Sequence, residues 1–157
     1  MILKLNKQDV IIRKAKEEDL IKLCESRWLF KTDECKDIDE DFIKECYEFL
    51  KEGCLNGTWT HWIAEYNEEL ISNVSIQVIS KFPKPKKLNG RIGYITNFYT
   101  RPKFRGNGVG RKLLRKVKLW AKEEKVECLF VWPSAKSIGL YESEGFDDNN
   151  DILEIEF

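Results

Sequence analysis

The chain has 157 residues, 42% of them hydrophobic and 34% charged, with 27 basic and 27 acidic side chains. That is the size of one ordinary domain able to bury its own core, so residues 1–157 are expected to form a single domain needing no disulfide or metal to fold. Zero net charge argues against wholesale nucleic-acid binding, which wants a strongly basic face.

The first residues, MILKLNKQDVII, hold no long apolar core and no small-residue cleavage site, so they do not read as a signal peptide. No apolar run reaches the length of about 18 residues that a membrane helix needs. Cys24, Cys35, Cys46, Cys54 and Cys128 are odd in number and show no C-x-x-C spacing. They are expected to be reduced, buried hydrophobes in a cytoplasmic protein rather than a zinc site or disulfide framework.

Along the chain, residues 10–14 (VIIRK) predict a strand. A helix follows over about 17–28, with Leu20, Leu23, Cys24 and Arg27 or Trp28 at helical spacing. Residues 31–37 (KTDECKD) read as a loop. A second helix after Asp39 is expected to turn Phe42, Cys46, Phe49 and Leu50 to one face. The period then becomes two. Residues 60–66 and 70–80 predict strands joined by a tight turn at Asn67-Glu68-Glu69, and residues 91–100 (RIGYITNFYT) a further central strand stopped by Pro102. Residues 82–89, with two prolines and three lysines, form the loop before it. A glycine-rich turn opens a helix running to about residue 125, with Val109, Leu113, Leu114, Val117, Trp120 and Ala121 as its apolar face. Residues 128–132 predict a short buried strand, 134–144 a helix, and 152–157 (ILEIEF) a closing strand whose edge offers pairing across a homodimer. The order β-α-α-β-β-β-α-β-α-β is that of a mixed α/β domain, without repeats or linkers.

The turn Arg105-Gly106-Asn107-Gly108-Val109-Gly110-Arg111 lies between a strand and a helix, where free backbone N–H groups suit a phosphate or diphosphate. Its glycine spacing is neither that of a nucleotide P-loop nor that of the dinucleotide fingerprint, which also falls early in a βαβ unit.

Arg105-x-x-Gly108-x-Gly110, following Tyr99-Thr100-Arg101-Pro102, resembles the signature of the GNAT superfamily of N-acetyltransferases. Downstream, the run from Ser134 through Ser137, Tyr141 and Glu144 to Gly145-Phe146 is similar to that family's second motif, a helix carrying a tyrosine and ending in Gly-Phe. The similarity is close over residues 91–146. It implies a mostly antiparallel mixed sheet flanked by helices, and acetyl-coenzyme A as co-substrate with no metal. Backbone amides of Arg105, Gly106, Asn107, Gly108, Val109, Gly110 and Arg111 would hold the diphosphate. The pantetheine arm would pair along Phe98, Tyr99 and Thr100 like an added strand. Ser134 and Ser137 stand where the family often has asparagine and alanine, and either can hydrogen-bond the cofactor.

Acetyl transfer to an amine needs a proton acceptor for the amine, donors for the developing oxyanion and a proton for the leaving thiolate. The resemblance assigns the last role to Tyr141. The strand 91–100 carries no carboxylate, although many relatives place a base there; Asp33, Glu34, Glu65, His61 or a water chain are the alternatives. On the acceptor side, Trp28, Asp33 and Glu34, with Arg27, Phe30, Asp37, Trp59 and Trp62, set aromatics beside carboxylates in a manner suited to a cationic amine. A small-molecule amine is the expected acceptor. A protein N-terminus or lysine, or a non-catalytic coenzyme A sensor, are the alternatives. The basic run Arg111, Lys112, Arg115, Lys116, Lys118 and Lys122 reads as an exposed helix face whose first turn helps the phosphates.

Overall fold

A computed structural model describes residues 1–6, 8–148 and 153–157. Its framework is a five-stranded sheet in the order β1-β2-β3-β4-β5. The strands are β1 (Ile11–Lys14), β2 (Trp59–Tyr66), β3 (Glu69–Ser80), β4 (Arg91–Thr100) and β5 (Leu129–Val131). The first four pair antiparallel in sequence order, and β5 joins β4 parallel after a helical crossover. At the β2–β3 hairpin, Asn67 and Glu68 take φ of 50° and 62°, the backbone handedness that matches strand twist in a two-residue loop.

Helices α1 (Leu20–Lys31) and α2 (Glu40–Leu55) cover one face of the sheet; α3 (Val109–Glu123) and α4 (Ile138–Ser143) cover the other. The Asp39 carboxylate caps α2 by accepting the Phe42 N–H at 3.0 Å, and Glu40 and Asp41 favour the positive end of its dipole. In α3 the apolar positions read from sequence are the buried ones, meeting Val74, Ile76 and Ile95 of the sheet. On the opposite face Leu20, Leu23, Cys24, Leu50, Ile63 and Leu70 form a second cluster. Fully burying each such leucine or isoleucine contributes about 1.5–3 kcal/mol.

The order of elements follows the expectation through α4, with local corrections. Phe49 is exposed and packs edge-on against Trp59; Ile43 and Tyr47 take its place on the buried face of α2. The strand at β5 is half-buried, with Cys128 and Trp132 exposed, because it lies at the sheet edge. Only Cys24 of the five cysteines is fully buried; Cys46 is partly covered and Cys35, Cys54 and Cys128 are exposed. Residues 134–137 form a turn before α4 instead of its first turn. Residues 153–157 belong to no strand, and their alternating side chains Leu153, Ile155 and Phe157 are exposed; Ile152 lies outside the described residues. Alternation alone does not make a strand without a partner to complete its ladder. Among the described residues no helix is long and apolar enough to cross a membrane.

Candidate active site

The site is built on β4. Two irregularities interrupt the otherwise regular ladder. Asn73 pairs with Tyr99 and Ser75 with Thr96, so Val74 alone faces both Asn97 and Phe98. This is a bulge, and Asn97 takes the left-handed conformation within it, φ 49°. The second irregularity is on the other edge. The parallel ladder runs from Gly93 opposite Leu129 to Ile95 opposite Val131 and stops there. Among the described residues, 96–100 have no strand on that side. Pro133 follows Trp132 and has no N–H with which to prolong the ladder.

The unpaired stretch runs into the glycine turn through a short 3-10 turn, Pro102–Phe104. Gly106 and Gly108 both have φ 75°, and a Cβ on either would meet nothing within 4 Å. The backbone is left-handed where side chains are disfavoured, and its front is open. Gly108 is the residue before α3, so the first N–H groups of that helix lack intrahelical partners and face this opening. A groove of about 500 Å³ lies here, bordered by Thr100, the turn itself, Lys112, Arg115 and Leu140. Arg105 donates from Nε to the Thr100 carbonyl at 2.9 Å, with its guanidinium 5.7 Å from the Tyr99 ring centre. Arg111 donates to Ser143 Oγ at 3.2 Å and lies 3.6 Å from Glu144.

Two residues of the turn can offer the groove backbone only. The Asn107 side chain is occupied elsewhere: it accepts the Leu5 N–H and donates to the Leu3, Phe104 and Arg105 carbonyls. Val109 is buried with Leu5, Ala64, Ile71 and Phe104. Ser134 and Ser137 bond each other, Oγ to Oγ at 3.0 Å, and Ser137 also donates to the Ser134 carbonyl. Glu144 gathers Arg111, Arg115 and Lys118, and this basic company lowers its carboxyl pKa.

Tyr141 projects from α4 into the core and touches the bulge. Its ring meets Phe98 edge-on at 6.2 Å and Phe146 at 5.3 Å. Burial pushes its phenol up to about 12, with Tyr94 adding to the shift. The hydroxyl therefore keeps its proton at neutral pH.

The remaining sequence candidates lie across the sheet or at its rim. His61 is 3% exposed, stacked on Trp59, with Nδ1 2.8 Å from Ser75 Oγ and Nε2 buried without a partner among the described residues. Desolvation pulls its pKa down to about 4, so it is neutral at physiological pH. Glu65 is held by Arg13 at 2.9 Å within a cluster that includes Asp19. Trp28 packs on Phe42, its Nε1 buried without a partner among the described residues. Asp33 and Glu34 take φ of 50° and 67°; Asp33 is exposed, whereas one carboxylate oxygen of Glu34 is buried and has no partner among the described residues. Tyr141 and the glycine turn thus meet at the bulge and along the groove, whereas His61 sits against α2 on the other face of the sheet.

The model of the acetyltransferase (GNAT) family matches residues 20–146. The chain belongs to that family. Among solved structures, this GNAT domain is similar to a predicted acetyltransferase with acetyl-CoA from Clostridium acetobutylicum, at 31% identity, TM-score 0.77, and 94% and 96% coverage of the two chains. It shares its fold with glucosamine-6-phosphate N-acetyltransferase from Arabidopsis thaliana (16% identity, TM-score 0.70, 94% and 98% coverage). An aminoglycoside acetyltransferase from an uncultured soil metagenomic sample shares it too (14% identity, TM-score 0.74, 96% and 97% coverage). No curated protein matches the sequence.

Apart from His61, reading the sequence missed the polar residues that surround the bulge of this GNAT domain. Ser26, Asn73, Ser75 and His61 are buried and linked through Asn97. The signal was present: Asn73 and Ser75 are polar positions inside an apolar strand, and buried polar groups need partners.

Proposed function

We propose that the chain transfers the acetyl group of acetyl-coenzyme A to a primary amine of a small molecule. The observation that carries this reading is the continuous path formed by the unpaired edge of β4, the open glycine turn and Tyr141 against Phe98. The residues fit the cofactor: unpaired strand amides suit pantetheine amides, and helix-terminal N–H groups flanked by Arg105 and Arg111 suit a diphosphate. Support also comes from the acetyl-CoA in the Clostridium acetobutylicum structure and from the small-molecule acceptors named for two of the structural neighbours.

When bound, the thioester supplies an activated acetyl group. A backbone N–H of the bulge near Phe98 would serve the carbonyl oxygen as charge develops there. Tyr141, protonated at neutral pH, gives its proton to the departing sulfur as the C–S bond breaks and the N–C bond forms. The amine's proton restores the balance through solvent or a carboxylate. Glu65 is committed to Arg13 and His61 is a weak base, so Glu34, with its unpartnered oxygen, is the group we assign to the acceptor's ammonium. Ser134 and Ser137, whose hydroxyls bond each other before α4, are further candidates to hydrogen-bond the cofactor.

Thiol release from acetyl-coenzyme A, followed across a panel of small amines, tests this reading. Wild type is expected to release thiol with at least one amine, and Tyr141→Phe to lower kcat by about 100-fold with little change in cofactor affinity. Cofactor binding with no thiol release for any amine would point to a sensor. Equal rates in both proteins would remove Tyr141 from the chemistry.

A further inference from the structure

The bulge on β4 is locked by side chains that do not line the groove. Asn97, in the left-handed conformation, is held at three points. Asn73 donates from Nδ2 to the Asn97 carbonyl at 2.7 Å. Arg27 donates to Asn97 Oδ1 at 3.3 Å, and Asn97 Nδ2 lies 3.4 Å from Ser75 Oγ. Behind these, Ser26 donates to Asn73 Oδ1 at 2.5 Å, and His61 Nδ1 meets Ser75 Oγ at 2.8 Å. The chain of contacts thus joins α1, β2, β3 and β4. Ser26, Asn73, Ser75 and His61 are all buried. A buried amide or hydroxyl costs free energy relative to an apolar side chain of the same shape unless every bond is satisfied. Four such residues around one backbone irregularity therefore do something packing alone does not need. What they hold is the peptide between Asn97 and Phe98, inside the bulge.

We infer that Asn73 and Asn97 are positioning residues that hold the β4 bulge so that a backbone N–H within it points at the thioester carbonyl, with Ser26 and Arg27 of α1 setting them in place. This rests on the acetyl-transfer reading above. Asparagine suits the role twice: it tolerates a left-handed backbone better than most residues, and its amide reaches α1 and β3 together.

The test needs no acceptor amine. Acetyl-coenzyme A labelled with carbon-13 at the acetyl carbonyl is bound to wild type and variants, and its resonance and affinity are measured. Hydrogen bonding to the carbonyl oxygen moves that resonance downfield from its free position. Asn97→Ala, which strains the backbone and removes the amide, is expected to return the resonance to the free position while affinity stays within about threefold, because the glycine turn is untouched. Asn97→Gly, which accepts the conformation without strain, is expected to keep much of the shift. Ser26→Ala, a mild change distant from the groove, is expected to give a partial loss and serves if Asn97→Ala does not fold. Tight binding with an identical resonance in wild type, Asn97→Ala and Ser26→Ala would overturn the inference alone. Absence of binding by wild type would overturn the acetyl-transfer reading and this inference with it.

Discussion

His61 illustrates how a residue's surroundings decide its use. By type it is the side chain best matched to proton transfer at neutral pH. In the fold it is enclosed by Trp59, Ser75 and the sheet, and desolvation holds it near 4. Its effect falls on stability. Between about pH 6.5 and 4 the unfolded chain takes up a proton that the folded chain refuses. The contribution of the neutral imidazole is therefore complete above the unfolded pKa and is lost as pH falls through this window. Urea denaturation at about pH 7 and about pH 5 should show wild type losing about 2 kcal/mol more than His61→Phe. An equal loss in both would mean that His61 titrates normally in the folded protein. The sequence identified the histidine but not its burial, because burial depends on α2 crossing above it. Tyr141 was legible because its motif fixes both the helix and its end; its contact with Phe98 follows from that placement. Asn97 was not legible, since one extra residue in a strand leaves no trace in an alternation already broken by aromatics on both faces.

At the scale of elements, the helices and long strands were readable from period and punctuation. The α3 stripe and the Asp39 cap appear where spacing placed them. What failed lay at the edges. The run ILEIEF has strand chemistry without a strand, and β5 is shorter and more exposed than a buried reading allows. Edge strands are decided by neighbours, which no local pattern shows. The glycine turn is the element whose form the function depends on most. At Gly108, with φ 75°, a methyl group meets no atom but must adopt a disfavoured backbone. Gly108→Ala is therefore expected to lower stability by about 1 kcal/mol through backbone strain alone, read as a shift in the urea midpoint. A neutral or stabilising result would show that the turn relaxes freely.

For the whole molecule, the balance of 27 basic and 27 acidic groups hides a local asymmetry. Basic side chains border the groove at Arg105, Arg111, Lys112 and Arg115, while Glu144 holds three cations against α4. A neutral total is thus compatible with an anion-binding groove. On the proposed reading, this groove and the open edge of β4 bind acetyl-coenzyme A. Calorimetric titration of the purified protein, beside Gly108→Trp, tests it most directly. Saturable binding by wild type is expected, lost when the indole fills the opening, with Gly108→Ala retaining fold as the control for strain. Absence of wild-type binding, or equal binding by Gly108→Trp, would contradict it.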